Sequence, residues 1–244
     1  MEKRSNNLQS KTRRGVIAVL GLVLLSACTY SGLSNDTGNP VTRKFSWFSY
    51  VSGDDIRAAC VEGAPNQYRF VYNGIYDKQL RTYDLYPTAG GDYELLSRVT
   101  EEASGRITTE LGSPDLLQPW RAIESRADLS APELQDIQSA LQASRYFEIT
   151  APEEDFASYE FYWAGAACVG GKYRFRAVKW PSAEYKDAAL KDLLSPWDKT
   201  TIPFNTPHEV SLFDAYPKDD YNDYIGVFTV RMTPNGIKRL ASQN

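Results

Sequence analysis

Only one of the 244 residues is a histidine, His208, and only three are cysteines. A Ser-His-Asp triad would have to use that histidine as its base. No G-x-S-x-G nucleophile elbow is present to serve it, so His208 reads as a surface or strand-start residue. One histidine and the two later cysteines do not make up a zinc ligand set without carboxylates from elsewhere. Glycine-rich phosphate loops are missing too: Gly90-Gly91 and Gly170-Gly171 read as hairpin turns. The longest apolar run, 15–25 (GVIAVLGLVLL), falls well short of the roughly 20 residues that a bilayer-spanning helix needs. These absences predict no catalytic set, no metal and no cofactor.

What stands at the N-terminus is more specific. Lys3, Arg4, Lys11, Arg13 and Arg14 precede the apolar run with a single acid, Glu2. A basic segment followed by a short apolar one is the pattern of an export signal. The next residues are Leu25-Ser26-Ala27-Cys28. A branched apolar residue, two small residues and a cysteine resemble the lipobox of bacterial lipoproteins. The resemblance implies cleavage after Ala27, diacylglyceryl and fatty-acyl (palmitate-type) attachment at Cys28, and anchoring in the bilayer of the cell envelope. Thr29 in place of an aspartate after that cysteine implies the outer membrane, facing the periplasm. The resemblance covers this segment alone. The domain has the general style of uncharacterised proteobacterial lipoproteins and resembles no functional family.

Removing residues 1–27 takes away five of the 27 basic residues and one of the 31 acids, leaving 22 against 30 and a formal charge of −8. An acidic chain without a basic block is a poor partner for nucleic acid. With Cys28 acylated, Cys60 and Cys168 remain as an even pair in an oxidising compartment. A disulfide between them is the economical reading, two separate buried thiols the alternative. Their surroundings are alike: Ala58-Ala59-Cys60-Val61 precedes Tyr68-Arg69-Phe70, and Ala166-Ala167-Cys168-Val169 precedes Tyr173-Arg174-Phe175. The match ends quickly on both sides and its gaps differ, which favours coincidence over duplication.

The rest predicts an α+β fold, an antiparallel sheet of meander and hairpins with two main amphipathic helices packed on it. Residues 28–42 read as a lipidated N-terminus and flexible tether, and 43–244 as one envelope domain, with a division into lobes at 43–112 and 113–244 left open. KFSWFSYV (44–51) alternates and reads as a strand, followed by a short helix over 54–60 with Ser52 as its N-cap. Strands are expected at 68–76, 79–86 and 93–99, and a hairpin at 159–169 and 173–180. Ser130-Ala131-Pro132-Glu133 is a capping box opening a helix over 131–145, with Leu134, Ile137 and Leu141 on one face. A second helix follows Ser182, with Ala189, Leu190, Leu193 and Leu194 as its stripe. Further strands are expected near 209–213 and 225–232, and a last short helix from Thr233-Pro234.

Two acidic clusters remain, Glu153-Glu154-Asp155 and the run 214–223 (DAYPKDDYND). The second lacks the ligand alternation and turn glycine of an EF-hand loop and reads as a solvated loop, its Tyr216, Tyr221 and Tyr224 packing it on the sheet. Three functions follow in order: a non-catalytic interaction or structural accessory protein of the envelope, partnered by the bilayer and by envelope proteins; a small-molecule or glycan binding module; and a carboxylate hydrolase, which requires two carboxyls converging across a cleft.

Overall fold

The structure is a computed structural model and describes residues 37–101, 121–149, 152–210 and 228–238. It is α+β, as the sequence predicts. A six-stranded antiparallel sheet runs in the order β4-β3-β2-β1-β6-β7, and a three-stranded sheet in the order β5-β8-β9. The strands of the large sheet are β1 (Gln67–Gly74), β2 (Gln79–Pro87), β3 (Tyr93–Glu101), β4 (Ile123–Leu129), β6 (Phe161–Val169) and β7 (Lys172–Lys179); β5 (Glu154–Ala157), β8 (Thr229–Thr233) and β9 (Gly236–Lys238) make the small one. The meander and the Gly170-Gly171 hairpin lie where expected. β4 and β5 carry no strong alternation and escape the sequence reading.

Both faces of the large sheet are covered, so the central strands are buried almost along their whole length. On one face Tyr68, Phe70, Tyr72 and Trp163 meet Ile137 and Leu141 of α3 (Ala131–Ala143) together with Leu190 and Leu194 of α5 (Leu190–Leu194). On the other face Val71, Ala164, Ala166 and Phe175 meet the helices α1 (Pro40–Ser52) and α2 (Asp54–Ala59) and the small sheet, through Trp47, Tyr50, Ile56, Phe156 and Met232. The small residues of β6 permit this double cover. A Cβ at Gly165 would stand 2.6 Å from Tyr146 Cε1, and one at Gly53 only 2.4 Å from the Ala166 Cβ on the opposite side.

Several local expectations are corrected. The segment read as a strand, 44–51, lies within α1. Asn39 caps it, its Oδ1 accepting from the amides of Val41 at 2.9 Å and Thr42 at 3.3 Å, and Pro40 follows in the first turn. Gly53 closes it in the left-handed conformation at φ 62°. Arg43, Ser46, Trp47, Tyr50 and Val51 are buried at helical spacing, so the aromatic alternation was incidental to a 3.6-residue stripe. The stretch read as tether thus includes the start of α1, and Thr37 is itself buried. Ser52 ends α1 instead of capping α2, and its Oγ accepts from the amide of Ile237 at 3.0 Å.

The helix after Ser182 is two short ones, α4 (Ala183–Ala188) and α5, broken where Ala189 takes φ 46°. Thr233-Pro234 opens no helix. With Asn235 and Gly236 it forms the β8–β9 turn, Gly236 adopting φ 103°, as a Pro-Asn-Gly sequence favours. Glu209 and Val210 have no regular structure. The rest of that expected strand, the acidic run 214–223 with its tyrosines, and the segment 1–27 with Cys28 lie outside the described residues.

Candidate functional site

Three places on the large sheet concentrate charge. The first lies beneath α1, where residues on one face of neighbouring strands form a ladder. Arg69 on β1 donates to Asp84 on β2 at 2.6 Å and grips both oxygens of Asp55 on α2 at 2.7 and 2.9 Å. Arg98 on β3 joins Asp84 at 3.1 Å to Glu124 on β4 at 2.6 Å. The Tyr50 hydroxyl donates to Asp84 at 2.6 Å, and the Arg69 guanidinium lies 3.8 Å from the centre of the Tyr50 ring. Burial works against the charge of Asp55, yet the hydrogen bonds and charge of Arg69 hold its carboxyl below the ordinary value. Burial and the neighbouring Asp84 push the Tyr50 phenol far up. Alternating signs across four strands pin α1 and α2 to the sheet, and each carboxylate of the ladder is already engaged.

A similar device fixes the opposite face. Arg81 pairs with Asp198 at 2.7 Å, and Asp198 also accepts from the Tyr83 hydroxyl at 2.7 Å. Arg81 donates as well to the carbonyl of Ile202 and sits 4.0 Å from the Phe204 ring centre. These contacts hold residues 198–205 against the sheet.

The third place is different in kind. A cleft of about 290 Å³ runs beside β7, the outer strand of the large sheet, and is walled by Phe156 and Met232 of the small sheet and by Val178 and Trp180. The hairpin fixes which backbone groups face it. Trp180 donates its amide to Phe161 O, so even-numbered residues of β7 bond to β6, and Phe175, Ala177 and Lys179 turn their N–H and C=O outward. Among the described residues no backbone partner meets those three.

Two cations line the cleft. The Lys179 ammonium is shared between Glu154 and Glu160, each at 3.2 Å. Arg176 is only 5 % exposed and forms no ion pair among the described residues. Its Nη1 donates to the carbonyls of Arg145 at 3.3 Å and Tyr146 at 3.1 Å, while Nε is buried with no acceptor. The Tyr146 hydroxyl returns a hydrogen bond to the Arg176 backbone carbonyl at 3.1 Å, so the two residues are tied reciprocally, each side chain to the other's backbone. A buried guanidinium N–H without a partner is costly, and such groups call for an explanation.

The residues singled out from sequence are placed as follows. Cys60, at the end of α2, and Cys168, on β6, form a disulfide with their Cα atoms 5.4 Å apart. One Ala-Ala-Cys therefore ends a helix and the other lies in a central strand, so the two segments are not equivalent in the fold. His208 is exposed, edge-on to Phe161 at 4.9 Å, with Nδ1 2.9 Å from Thr206 O. Asp155 is held by Arg231 through bonds of 2.8 and 3.0 Å, which keep its carboxyl below the ordinary value. No group of three metal-ligating side chains occurs among the described residues. Sequence reasoning missed Arg176. The signal available was an arginine on an otherwise apolar stretch, Phe175-Arg176-Ala177-Val178.

Comparison with protein-family models, with curated proteins and with solved structures returned no match.

Proposed function

We propose that this chain is an envelope lipoprotein, anchored through acylated Cys28, that works by binding and not by catalysis, with the cleft beside β7 as its recognition surface. The observation that carries this is the composition of the cleft. It combines apolar walls, outward backbone groups and a buried Arg176 that has no ion pair among the described residues and an Nε without an acceptor, the equipment of recognition. The carboxylate that lines it from β5, Glu154, is tied to Lys179. Among the described residues every carboxyl with a resolved shift is lowered, Asp55, Glu94, Glu133 and Asp155. General-acid hydrolysis asks for the opposite, a carboxyl raised by burial.

The anchoring half of the reading rests on the Leu25-Ser26-Ala27-Cys28 segment. A second reading, a small-molecule module, is favoured by the cleft volume of about 290 Å³, at the lower edge of small-ligand pockets.

The test is made in the native host. A photo-crosslinking residue at Glu184, on the cleft wall, should capture a defined envelope component, and one at the exposed Lys172 of the distal hairpin turn should not. Cys28→Ser should leave the protein unacylated and uncleaved by the lipoprotein peptidase. Equal capture from both positions, or a normally acylated Cys28→Ser protein, would overturn the proposal.

A further inference from the structure

We infer that the cleft beside β7 is a strand-accepting groove whose ligand is an extended peptide segment bearing an acidic side chain, which Arg176 receives. This rests on the binding reading above and names the ligand chemistry.

The argument begins with the edge. An unpaired strand edge is a template for a further strand, and proteins usually blunt it with charge, bulges or proline. β7 has neither a bulge nor a proline between Lys172 and Lys179, and the one charge in its buried middle is the inward-turned Arg176. Phe175 and Ala177 are 6 % and 8 % exposed, yet their outward amides and carbonyls have no backbone partner among the described residues. Backbone N–H and C=O groups are strong donors and acceptors, and an occupant of this cleft that supplies alternating acceptors and donors at strand spacing satisfies them. An extended backbone does this, and main-chain pairing of an added strand is an established mode of peptide recognition.

Side-chain alternation then specifies the sequence class. Residues of a strand laid on β7 point by turns to the two faces of the sheet. On one face lie Ala177 and the apolar walls Phe156 and Met232. On the other lies Arg176, whose charge no carboxylate of the described chain meets. An apolar residue followed by Asp or Glu satisfies both faces. The carboxylate accepts from the guanidinium N–H groups that now lack an acceptor, and charge-assisted bonds of this kind are the strong ones. The neighbouring Lys179 is already neutralised by Glu154 and Glu160, so the complementarity centres on Arg176.

The test uses full-length protein purified from membranes in mild detergent. It is probed with an array of capped heptapeptides in which apolar residues alternate with Glu, Gln or Lys. Glu-containing alternating peptides should bind, with about tenfold or greater loss on replacing Glu by Gln, as expected for one charged hydrogen bond. Arg176→Met should lose that preference for Glu, and Arg176→Lys should keep part of it. The exposed neighbour Arg174→Gln should change nothing.

Hydrogen exchange on the wild-type protein gives a second readout that no variant can spoil by misfolding. Bound peptide should slow the amides of Phe175, Ala177 and Lys179 and leave those of Arg174 and Val178, already bonded to β6, unaltered. The inference is overturned by no peptide binding, by binding without preference for Glu, or by acetate and free aspartate protecting Ala177 as well as the peptides do. Concentration-dependent dimerisation that protects the same amides would overturn it in favour of a second copy of the chain. Failure here with successful crosslinking at Glu184 removes the strand mode and leaves the binding reading in place.

Discussion

Arg69 shows what a single side chain contributes in this molecule. It sits on a central strand, 1 % exposed, and is tolerated there because Asp55, Asp84 and the Tyr50 carbonyl use its donors. Removing one member of such a buried set leaves an uncompensated charge, so Arg69→Met should cost about 3–5 kcal/mol, read by urea unfolding. Asp55 gives the same network a pH dependence. Its folded carboxyl lies below the ordinary value of 3.8, so the unfolded chain takes up the proton first. The stability it contributes is present above that value and is lost as pH falls through the lower folded one. Unfolding curves collected from about pH 6 down to about pH 2 should show this loss, and Asp55→Asn should flatten it. An unchanged acid limb would mean that Asp55 titrates as freely in the folded protein as in the unfolded one.

Individual elements owe their ends to local chemistry and their places to packing. α3 begins at a capping box in which the Glu133 carboxylate accepts from the Ser130 amide at 2.7 Å and its hydroxyl at 2.6 Å. Ser130→Ala should therefore cost about 1 kcal/mol. Ile137 and Leu141 face the sheet at 2 % and 5 % exposure, so Leu141→Ala should cost more, about 2–5 kcal/mol. Thermal unfolding of the two variants separates cap from core; equal small losses would mean that α3 contributes nothing beyond its own helix. α1 carries the opposite lesson. Its punctuation was in the sequence, Asn39-Pro40 at one end and Gly53 at the other, but Asn-Pro also suits a loop, and F-x-W-x-S-x-V also suits a strand. The choice between the two periods is made by what lies underneath, the buried ladder and Ala166 of β6.

At the scale of the whole molecule, the disulfide links two segments 108 residues apart and ties α2 to the end of β6. Closing a loop of that length stabilises by about 4–5 kcal/mol in the chain-entropy account. Cys60→Ala with Cys168→Ala should lower stability by about that amount, less whatever structure the reduced chain keeps when unfolded. A loss under about 1 kcal/mol would show that the core alone holds α2. Peptide mapping without reductant should yield one crosslinked pair containing both cysteines. The same bond steadies the hairpin that carries β7, because Cys168 stands opposite Tyr173 in the β6–β7 ladder. The covalent staple and the proposed recognition edge are thus parts of one supersecondary unit.

By itself the sequence determined the features that depend on neighbours along the chain. The α+β class, the meander, the Gly170-Gly171 hairpin, the capping box of α3 and the pairing of the two later cysteines all follow from short-range patterns or from simple counting. Tertiary structure decided the rest. β4 and β5 are strands because β3 and β8 offer them an edge to pair with, not because their side chains alternate. The turn at Ala189 arises where α5 must lay Leu190 and Leu194 on the sheet. The cleft beside β7 belongs to neither segment that forms it. Its outward backbone groups come from hairpin phase, its walls from a sheet more than 50 residues further on at Met232, and the isolation of Arg176 from the absence of any described carboxylate within reach. Burial and partner distance are properties of the packed chain, and no local pattern in a sequence encodes them.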